Sequence, residues 1–390
     1  MNPGKLGGMY KQAFDQPDYF VANCRAGLEP VLERELKDLG CEIAFVGTRM
    51  VAFYGSEEDF YRANMALRTA INVLRPIRKF RAKDYDILYF QARKAPWHKL
   101  FDVDKTIRID VKGESPNFRN SQYTVHRIKD AIVDTFRKLT DGYRPSIEKR
   151  EPDVHVVAFV HRDEVTLYLD GAGEPLFKRG YRIEHGEAPL KEDLAAGLLQ
   201  LAGYKGNCDF VDPMCGSGTF LCEAYLLANR IAPNLNRSFA FQNWLDFDPE
   251  AFERARQSLI ERQVDAGVAF HGFEADFSTR KVLERIVADH FGNHPSFKIH
   301  PHKFQDGDET FSRSVIVTNP PYGVRLQSSE ADLNRLYADL GNFLRHRCEK
   351  CGAAVFSSNS EALNAIGMKV ANKWKLYNGQ IEARLVQYKL

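Results

Sequence analysis

The residues Asn319, Pro320, Pro321 and Tyr322 follow a run of β-branched residues and form a motif with a specific chemical use. The amide oxygen of Asn319 and the carbonyl oxygen of Pro320 can both accept hydrogen bonds from one exocyclic amine of a nucleobase, which favours a pyramidal, nucleophilic nitrogen. The two prolines hold the loop extended, and Tyr322 offers a ring on which an extruded base stacks. The motif predicts methyl transfer to a base amine, without an acid, a metal or a covalent nucleophile.

A glycine-rich turn, Gly216-Ser217-Gly218, lies between a predicted strand and a predicted helix. Glycines at such a turn let a ligand approach the backbone, and the N-terminus of the following helix favours an anionic group. Leu221 takes the third glycine position of a dinucleotide fingerprint, and no Gly-Lys-Ser/Thr follows, which excludes a triphosphate loop. S-adenosylmethionine, with its carboxylate and adenosine, fits this turn better; an ordinary loop is the alternative.

Both motifs belong to a stretch in which predicted strands and helices alternate. Asp209–Asp212, Ala269–Ala275 and Ser314–Thr318 are predicted strands, and Phe220–Ala228 and Leu333–Leu344 are predicted helices. This alternation is typical of a doubly wound α/β sheet, which binds ligands at the carboxyl ends of its strands. Before it, the strand–helix–strand pattern that starts at Tyr19 predicts a small α+β unit.

The composition excludes several classes of protein. The 390 residues are 44% hydrophobic and 27% charged, which excludes disordered and collagen-like chains and predicts two or three domains. The sequence contains no membrane-length apolar run and no secretory signal in its first residues. The seven cysteines favour a reducing compartment, so we expect a cytoplasmic protein without membrane contact.

The formal net charge of +2 conceals one basic block at residues 62–150, which has 21 basic and 10 acidic side chains. Aromatic residues alternate with its cations, and this combination predicts a nucleic-acid surface, because cations neutralise phosphates and rings stack on bases. The alternative is a solvated helix face whose aromatic residues are core. The cations that we predict to contact RNA are Arg75, Arg78, Lys79, Arg81, Lys83, Arg93 and Lys94.

Asp212–Gly218 and Asn319–Tyr322 together resemble the amino-methylating class of S-adenosylmethionine-dependent methyltransferases. Nearly the whole chain, including Lys178–Arg182 and Leu376–Glu382, resembles the THUMP-containing bacterial 23S rRNA guanine-N2 methyltransferases, in the form with a single methyltransferase domain. The resemblance implies a fold in four parts. These are a ferredoxin-like unit at 1–64, a THUMP RNA-binding domain at 65–170, a linker at 171–188 and a Rossmann-like methyltransferase domain at 189–390.

The resemblance also implies roles for individual residues. The residues expected to line the methionine part of the cofactor are Asp212, Pro213, Gly216 and Gly218. Glu274 matches the family's ribose-binding carboxylate, with Asp248 as a less favoured alternative. Phe273 departs from the family pattern at the neighbouring position. Asp306 matches a position near the adenine amine.

The resulting hypothesis is methyl transfer to the N2 amine of a guanine in 23S rRNA. A guanine in tRNA, N6 of adenine in DNA, and a non-catalytic RNA-binding assembly factor are the alternatives. We expect no obligate protein partner. We also expect no metal site, because Cys348 and Cys351 lack a second pair, and the histidines between 290 and 302 are predicted to lie in a solvated loop.

Overall fold

The computed structural model describes residues 19–182, 190–321 and 330–390, and these divide into two compact units. Unit 1 comprises the residues up to Cys24, Glu33–Leu176 and Asn234–Ser258. Unit 2 comprises Arg25–Leu32, Phe177–Pro233 and Leu259–Leu390. Each unit therefore includes a segment that is remote in sequence from its other residues.

A mixed sheet organises unit 1. Its strands are β1 (Tyr19–Cys24), β2 (Glu42–Gly47), β3 (Met50–Tyr54), β4 (Ala70–Arg81), β5 (Thr106–Glu114), β6 (Ser146–Ile147), β7 (Val154–His161) and β8 (Glu164–Asp170), hydrogen-bonded in the order β2-β3-β1-β4-β8-β7-β5-β6. The helices of this part of the chain are α1 (Glu29–Asp38), which begins in the short segment assigned to unit 2, α2 (Glu57–Ala66), α3 (Tyr85–Ala92), α4 (Trp97–Leu100) and α5 (Ser121–Leu139).

The local sequence explains these elements. Along α5 the apolar residues Ile128, Ile132 and Phe136 recur at helical spacing, and all three are buried, as the pattern predicts. The β-branched runs Val154–Val160 and Val165–Leu169 predict a hairpin, and they form β7 and β8, which pair antiparallel. The alternative interpretation as a helix face is wrong for Arg75, Arg78, Lys79 and Arg81, because these four cations lie on strand β4, which pairs with β1 and β8.

Unit 2 contains a second mixed sheet. Its strands are β9 (Phe210–Asp212), β10 (Phe270–Phe273), β11 (Phe297–His300), β13 (Val315–Thr318), β15 (Gly352–Ser357), β16 (Val370–Asn378) and β17 (Ile381–Tyr388), while β12 (Phe311–Ser312) and β14 (Cys348–Glu349) pair separately. The order is β11-β10-β9-β13-β15-β17-β16, and the strands from β11 to β15 run parallel. The helices are α6 (Glu192–Leu201), α7 (Thr219–Ala228), α8 (Pro249–Ile260), which begins in unit 1, α9 (Phe277–Phe291), α10 (Glu330–Arg347) and α11 (Ser360–Ala365).

The connections from β9 to β10 and β11 proceed to one side of β9, whereas β13 lies on its other side. In open parallel sheets this reversal of direction opens a crevice at the carboxyl ends of the two central strands, where ligands bind. The expected doubly wound α/β sheet is therefore confirmed. No helix in the described ranges combines the length and the apolar composition that crossing a bilayer requires.

The segment 234–258 completes an aromatic core in unit 1. Phe241 is fully buried, and its ring centroid lies 4.7 Å from that of Tyr61 and 5.7 Å from that of Phe60, both on helix α2. Phe252 of the same segment lies 5.7 Å from Phe241, and Trp244 packs parallel to Phe60. Aromatic side chains of this size dominate the burial energy of a small core.

We expect the substitution Phe241→Ala to lower the free energy of unfolding of unit 1 by about 3–5 kcal/mol, because it leaves a cavity among rings that cannot close around it. Urea denaturation followed by tryptophan fluorescence measures the change. The matched control in the same segment is Leu245→Ala, since Leu245 is 55% exposed and its loss should cost about 0.5 kcal/mol or less. Equal losses in the two variants would contradict the assignment.

Candidate active site

Three strand ends bring the predicted site residues together. Strand β9 lies between β10 and β13, and all three run parallel, so their carboxyl ends share one edge. Asp212 ends β9 and lies opposite Gly272 of β10, while Val211 lies opposite Ile316 of β13. Glu274 and Asn319 follow β10 and β13 directly. The carboxylates and the amide motif therefore lie at adjacent positions on the edge that binds ligands in this fold.

The glycine-rich turn has the conformation for which glycine is needed. Gly216 has φ 53° and Gly218 has φ 80°, and Gly218 is the N-cap of helix α7. A Cβ atom on Gly218 would lie 2.3 Å from Leu283, so helix α9 packs directly against the backbone there. A Cβ on Gly216 would meet no described atom within 4 Å, which leaves open space beside the turn. The turn therefore packs closely at one glycine and leaves room at the other.

Hydrogen bonds fix the turn next to β10. The amide of Cys215 donates to the carbonyl of Phe273 over 3.1 Å. The Asp212 carboxylate accepts from the amide of Met214 over 3.1 Å. Because Pro213 between them is buried, the whole segment from β9 to α7 is held against the strand ends.

The surroundings of Asp212 and Glu274 disfavour the charged form of both carboxyl groups. Burial, with a smaller contribution from the nearby Glu274, raises the pKa of Asp212 from 3.8 to about 7. Burial likewise raises the pKa of Glu274. Two acidic groups that are desolvated together favour a cationic or hydroxyl-rich ligand, which would compensate the charges or satisfy their oxygens.

The structure distinguishes Glu274 from the alternative ribose-binding carboxylate. Asp248 belongs to unit 1, where its carboxylate accepts from the amides of Glu250 and Ala251 at the start of helix α8. Such capping satisfies the first amides of a helix. Glu274, in contrast, lies at the strand edge with Asp212. This placement favours Glu274 as the ribose-binding residue of our prediction.

The departure at Phe273 has a structural explanation. Its side chain is buried and stacks on the ring of His300, with centroids 4.4 Å apart and an interplanar angle of 14°. It also contacts Phe311 and Phe343 edge to face. Phe273 thus belongs to the hydrophobic core of unit 2, whereas the side chain of its neighbour Glu274 is half-buried.

A hydrogen bond from Tyr337, a residue that the sequence analysis did not single out, fixes the backbone of the asparagine motif. Asn319 is half-buried, Pro320 is buried and Pro321 is exposed, whereas Tyr322 lies outside the described residues. The hydroxyl of Tyr337, on helix α10, donates to the carbonyl of Pro321 over 3.3 Å and lies 2.8 Å from the hydroxyl of Ser357. Tyr337 is fully buried. Its position in the helical pattern of the sequence predicts a core residue and gives no sign of the hydrogen bond to Pro321.

Asp306 is placed in the exposed turn between β11 and β12, where its amide donates to the carbonyl of Lys303. Its side chain is therefore accessible to a ligand. Its predicted proximity to an adenine amine stays a prediction.

The predicted RNA-contacting cations fall into two groups in unit 1. Arg75 pairs with Glu57 and Asp246 and lies 5.3 Å from the ring centroid of Trp244, so it supports the segment 234–258. Arg78 contacts Gln91, Lys79 contacts Glu164 and Arg93 contacts Tyr89. The exposed cations are Lys83, Lys94 and Arg81, and Arg81 also lies 3.9 Å from carboxylate oxygens of Asp163 and Glu164. The second group is the one available to phosphates.

The aromatic residues of the basic block divide in the same way. Phe80, Trp97, Phe101 and Phe118 are buried, which confirms the core alternative for these four. Phe90 on helix α3 is 59% exposed and Tyr123 on helix α5 is 46% exposed. Tyr143, in the loop that follows α5, is 73% exposed. The exposed rings of the block therefore lie on α3, on α5 and in the loop after α5.

The raised pKa of Asp212 predicts how stability depends on pH. A carboxyl group whose pKa is higher in the folded than in the unfolded state loses stability as the pH rises between the two values. We expect Asp212→Asn, which keeps the acceptor for the Met214 amide, to remove this loss. Relative to the wild type, the variant should gain roughly 2–3 kcal/mol of unfolding free energy between pH 5 and pH 8.

Urea denaturation of the ligand-free protein at several pH values measures this difference. The control is Asp306→Asn, at an exposed carboxylate of the same unit. Parallel pH profiles for Asp212→Asn and the wild type would rule out an uncompensated charge at Asp212.

The chain matches known families over nearly its whole length. Residues 179–387 match the RMKL-like methyltransferase domain, residues 82–170 the THUMP domain and residues 19–74 the RlmL ferredoxin-like domain. The ribosomal RNA large subunit methyltransferase K/L of Psychromonas ingrahamii is 36% identical over 95% of this chain and 50% of its own length. The chain spans about half the length of the K/L relatives it matches.

The protein slr0064 of Synechocystis, which is named as an RNA methyltransferase, is 34% identical to this chain. The match covers 95% of this chain and 96% of slr0064. Among solved structures, SMU.472 in complex with SAH superposes with a TM-score of 0.85 at 28% identity, covering 95% of this chain and 97% of that one. With the domain match extending over more than half of its residues, the chain belongs to the RMKL-like methyltransferase domain family.

Proposed function

We propose that this protein is an S-adenosylmethionine-dependent RNA methyltransferase that modifies the exocyclic N2 amine of a guanine in 23S rRNA. The observation that carries the proposal is the convergence of Asn319 and Pro320 with Asp212 and Glu274 on neighbouring parallel strand ends. Amine acceptors and cofactor-binding carboxylates are thereby held on one rigid sheet edge, as direct transfer between two bound reactants requires.

The residues at the edge fit S-adenosylmethionine. The desolvated carboxylate of Asp212 suits the positive charges of the methionine part, and the open space at Gly216 admits a ligand against the backbone. Glu274 has a carboxylate available for the ribose hydroxyls, and the SAH complex of SMU.472 supports the same cofactor class. The remaining residues that we assign to cofactor binding are Pro213, Gly218 and Asp306. When bound, the cofactor supplies a methyl group already activated on a sulfonium.

The chain's own residues then orient the target amine. Asn319 Oδ1 and the Pro320 carbonyl oxygen accept its two hydrogens, which directs the nitrogen lone pair away from the loop. Pro320 and Pro321 restrict the backbone, and Tyr337 fixes the Pro321 carbonyl, so the acceptors are already in place before the base arrives. Tyr322 is the residue that we propose stacks on the extruded base.

RNA binding is assigned to unit 1. The matched THUMP domain includes the exposed rings Phe90 and Tyr123 and the exposed cations Lys83 and Lys94, and Arg81 borders it at 75% side-chain exposure. Phosphate neutralisation by these cations and base stacking on the rings together give an interface suited to folded RNA with unpaired bases. The names of the K/L relatives support large-subunit rRNA as the substrate.

The proposal makes Asn319→Ala a separation-of-function variant. We expect it to lower the rate of methyl transfer by at least about a hundredfold, because the amine loses an acceptor placed for the transition state, while cofactor affinity stays within about twofold. Glu274→Ala should show the opposite pattern, because its main effect should be a loss of affinity for the cofactor. Transfer of labelled methyl groups to unmodified 23S rRNA and calorimetric titration with S-adenosylmethionine measure the two effects.

The matched control is Asn342→Ala, at an exposed asparagine on helix α10. Mass spectrometry of nucleosides from the modified RNA separates N2-methylguanosine from other products. Wild-type turnover by Asn319→Ala would contradict the mechanism, and methylation of tRNA or of adenine in DNA in place of 23S rRNA would favour the corresponding alternative substrate. An intact cofactor site without transfer to any of these nucleic acids would favour an assembly factor.

A second prediction concerns the RNA surface. Replacing Arg81, Lys83 and Lys94 together by alanine should weaken RNA binding and lower the slope of log affinity against log salt by about 2, because each lost phosphate contact removes about 0.7–0.9. Cofactor affinity should not change. Filter binding at several salt concentrations measures the slope.

The control removes the same number of exposed positive charges elsewhere, at Lys37, Lys281 and Lys350. The two triple variants have equal net charge. A difference between their salt slopes therefore reflects the positions of the removed charges and not the net charge of the protein. Equal salt slopes for the two would place the RNA on another surface.

A further inference from the structure

Two histidines and a glutamate converge beyond strand β11, in a cluster that methyl transfer does not use. His300 Nδ1 and His302 Nε2 each lie 3.1 Å from Oε1 of Glu309, and the three atoms are within 4.8 Å of one another. His300 ends β11, while His302 and Glu309 lie in the loop from residue 301 to 310. The expectation of a solvated histidine loop is therefore wrong for His300, and also for His290, which lies on helix α9.

The spacing of the three atoms is that of a first coordination sphere. Zinc binds histidine nitrogen and carboxylate oxygen at about 2.0–2.2 Å, so tetrahedral ligand atoms stand about 3.3–3.5 Å apart. The two measured separations of 3.1 Å are close to this value. The side chains are 18–31% exposed, which leaves solvent access for a further water ligand.

The outer contacts of the cluster orient the same three atoms. Arg347 Nη2 donates to the other carboxylate oxygen of Glu309 over 3.3 Å, and its Nε donates to the Glu309 carbonyl over 2.9 Å. His302 Nδ1 lies 3.1 Å from the carbonyl oxygen of Lys303, and His300 Nε2 lies 3.1 Å from Nδ1 of His271. Protein metal sites use such second contacts to fix the tautomer and orientation of their ligands.

The hydrogen bonds around His302 are compatible with a cation at this point. The Lys303 carbonyl only accepts, so it places the proton of a neutral His302 on Nδ1 and leaves a lone pair on Nε2. That lone pair faces Oε1 of Glu309, which also carries lone pairs and is approached by His300 as well. A metal ion between the three atoms would accept these lone pairs in three coordinate bonds.

Gly307 shows that the loop is built closely around the cluster. A Cβ atom on this residue would lie 2.1 Å from Oε2 of Glu309 and 2.4 Å from Cε1 of His302. The backbone therefore packs directly on two of the three ligand residues, and a larger residue here would displace their side chains. Such a fit holds Glu309 and His302 in one geometry.

We propose that His300, His302 and Glu309 bind one divalent transition-metal ion, with Zn²⁺ as the ion that suits two imidazoles and a carboxylate best. The ion would join the end of β11 to the loop 301–310. That loop carries Asp306, and the amide of Glu274 donates to the carbonyl of His300 over 3.1 Å. A consequence for the cofactor pocket, which rests on the proposed function, is that the ion would order the loop beside the adenine.

The test is titration of chelator-treated protein with Zn²⁺ alone, in the absence of cofactor and RNA. We expect one equivalent to bind, and His302→Ala and Glu309→Gln to weaken its affinity by more than about tenfold. His290→Ala is the matched control, because it removes an exposed histidine from the preceding helix and should not change the affinity. Zn²⁺ should also raise the melting temperature of the wild type and of His290→Ala but not that of the two ligand variants.

Two outcomes would overturn the proposal. One is Zn²⁺ affinity that is equal in the wild type, His302→Ala and Glu309→Gln, which would identify adventitious binding. The other is a Co²⁺-loaded wild type without the visible absorption of a low-coordinate nitrogen and oxygen site; this measurement needs no variant to fold. Because neither involves methyl transfer, the metal site and the proposed function can fail separately.

Discussion

The placement of strand β9 between β10 and β13 is the constraint on which the candidate site depends. The parallel register sets Asp212 beside Gly272 and aligns the ends of β10 and β13, so that three short segments leave the sheet at the same edge. A Cβ on Gly272 would lie 2.5 Å from Leu221 and 2.8 Å from Cys215, so the close contact of β10 with the glycine-rich turn requires glycine here. A slip of one residue would reverse the faces of these side chains.

The same register gives the neighbouring residues Phe273 and Glu274 different surroundings, one in the core and one at the edge of the sheet. Phe273 points into the core and stacks on His300, and Glu274 provides a carboxylate at the strand edge. The site therefore combines strand ends that are fixed by the sheet with two neighbouring acidic groups whose charged forms are disfavoured. The carboxyl group of Asp212 is buried and that of Glu274 is half-buried, and the raised pKa of each reduces the stability of the fold as the pH rises.

The sequence predicted the elements with strong periodicity and the motifs at strand ends. The runs before Asp212 and Asn319 are short and apolar, and turns with glycine or proline follow them, so local chemistry sufficed. It did not predict β4, because Arg75, Arg78 and Lys79 suggest a solvated surface, whereas their partners Asp246, Gln91 and Glu164 are distant in sequence. Tyr337 was missed for the same reason, since only the fold brings its hydroxyl to Pro321. The boundaries drawn at residues 64, 170 and 188 stay predictions.

The assignment of residues 234–258 to unit 1 has a consequence for synthesis on the ribosome. A nascent chain that has emerged only as far as Leu176 contains all strands of the unit 1 sheet but lacks Phe241, Trp244 and Phe252. Phe60 and Tyr61 then have no partners from that segment until about 80 more residues have been translated, which takes several seconds at roughly 5–20 residues per second. During that interval the rings of Phe60 and Tyr61 lack the aromatic cover that the segment 234–258 supplies in the folded unit.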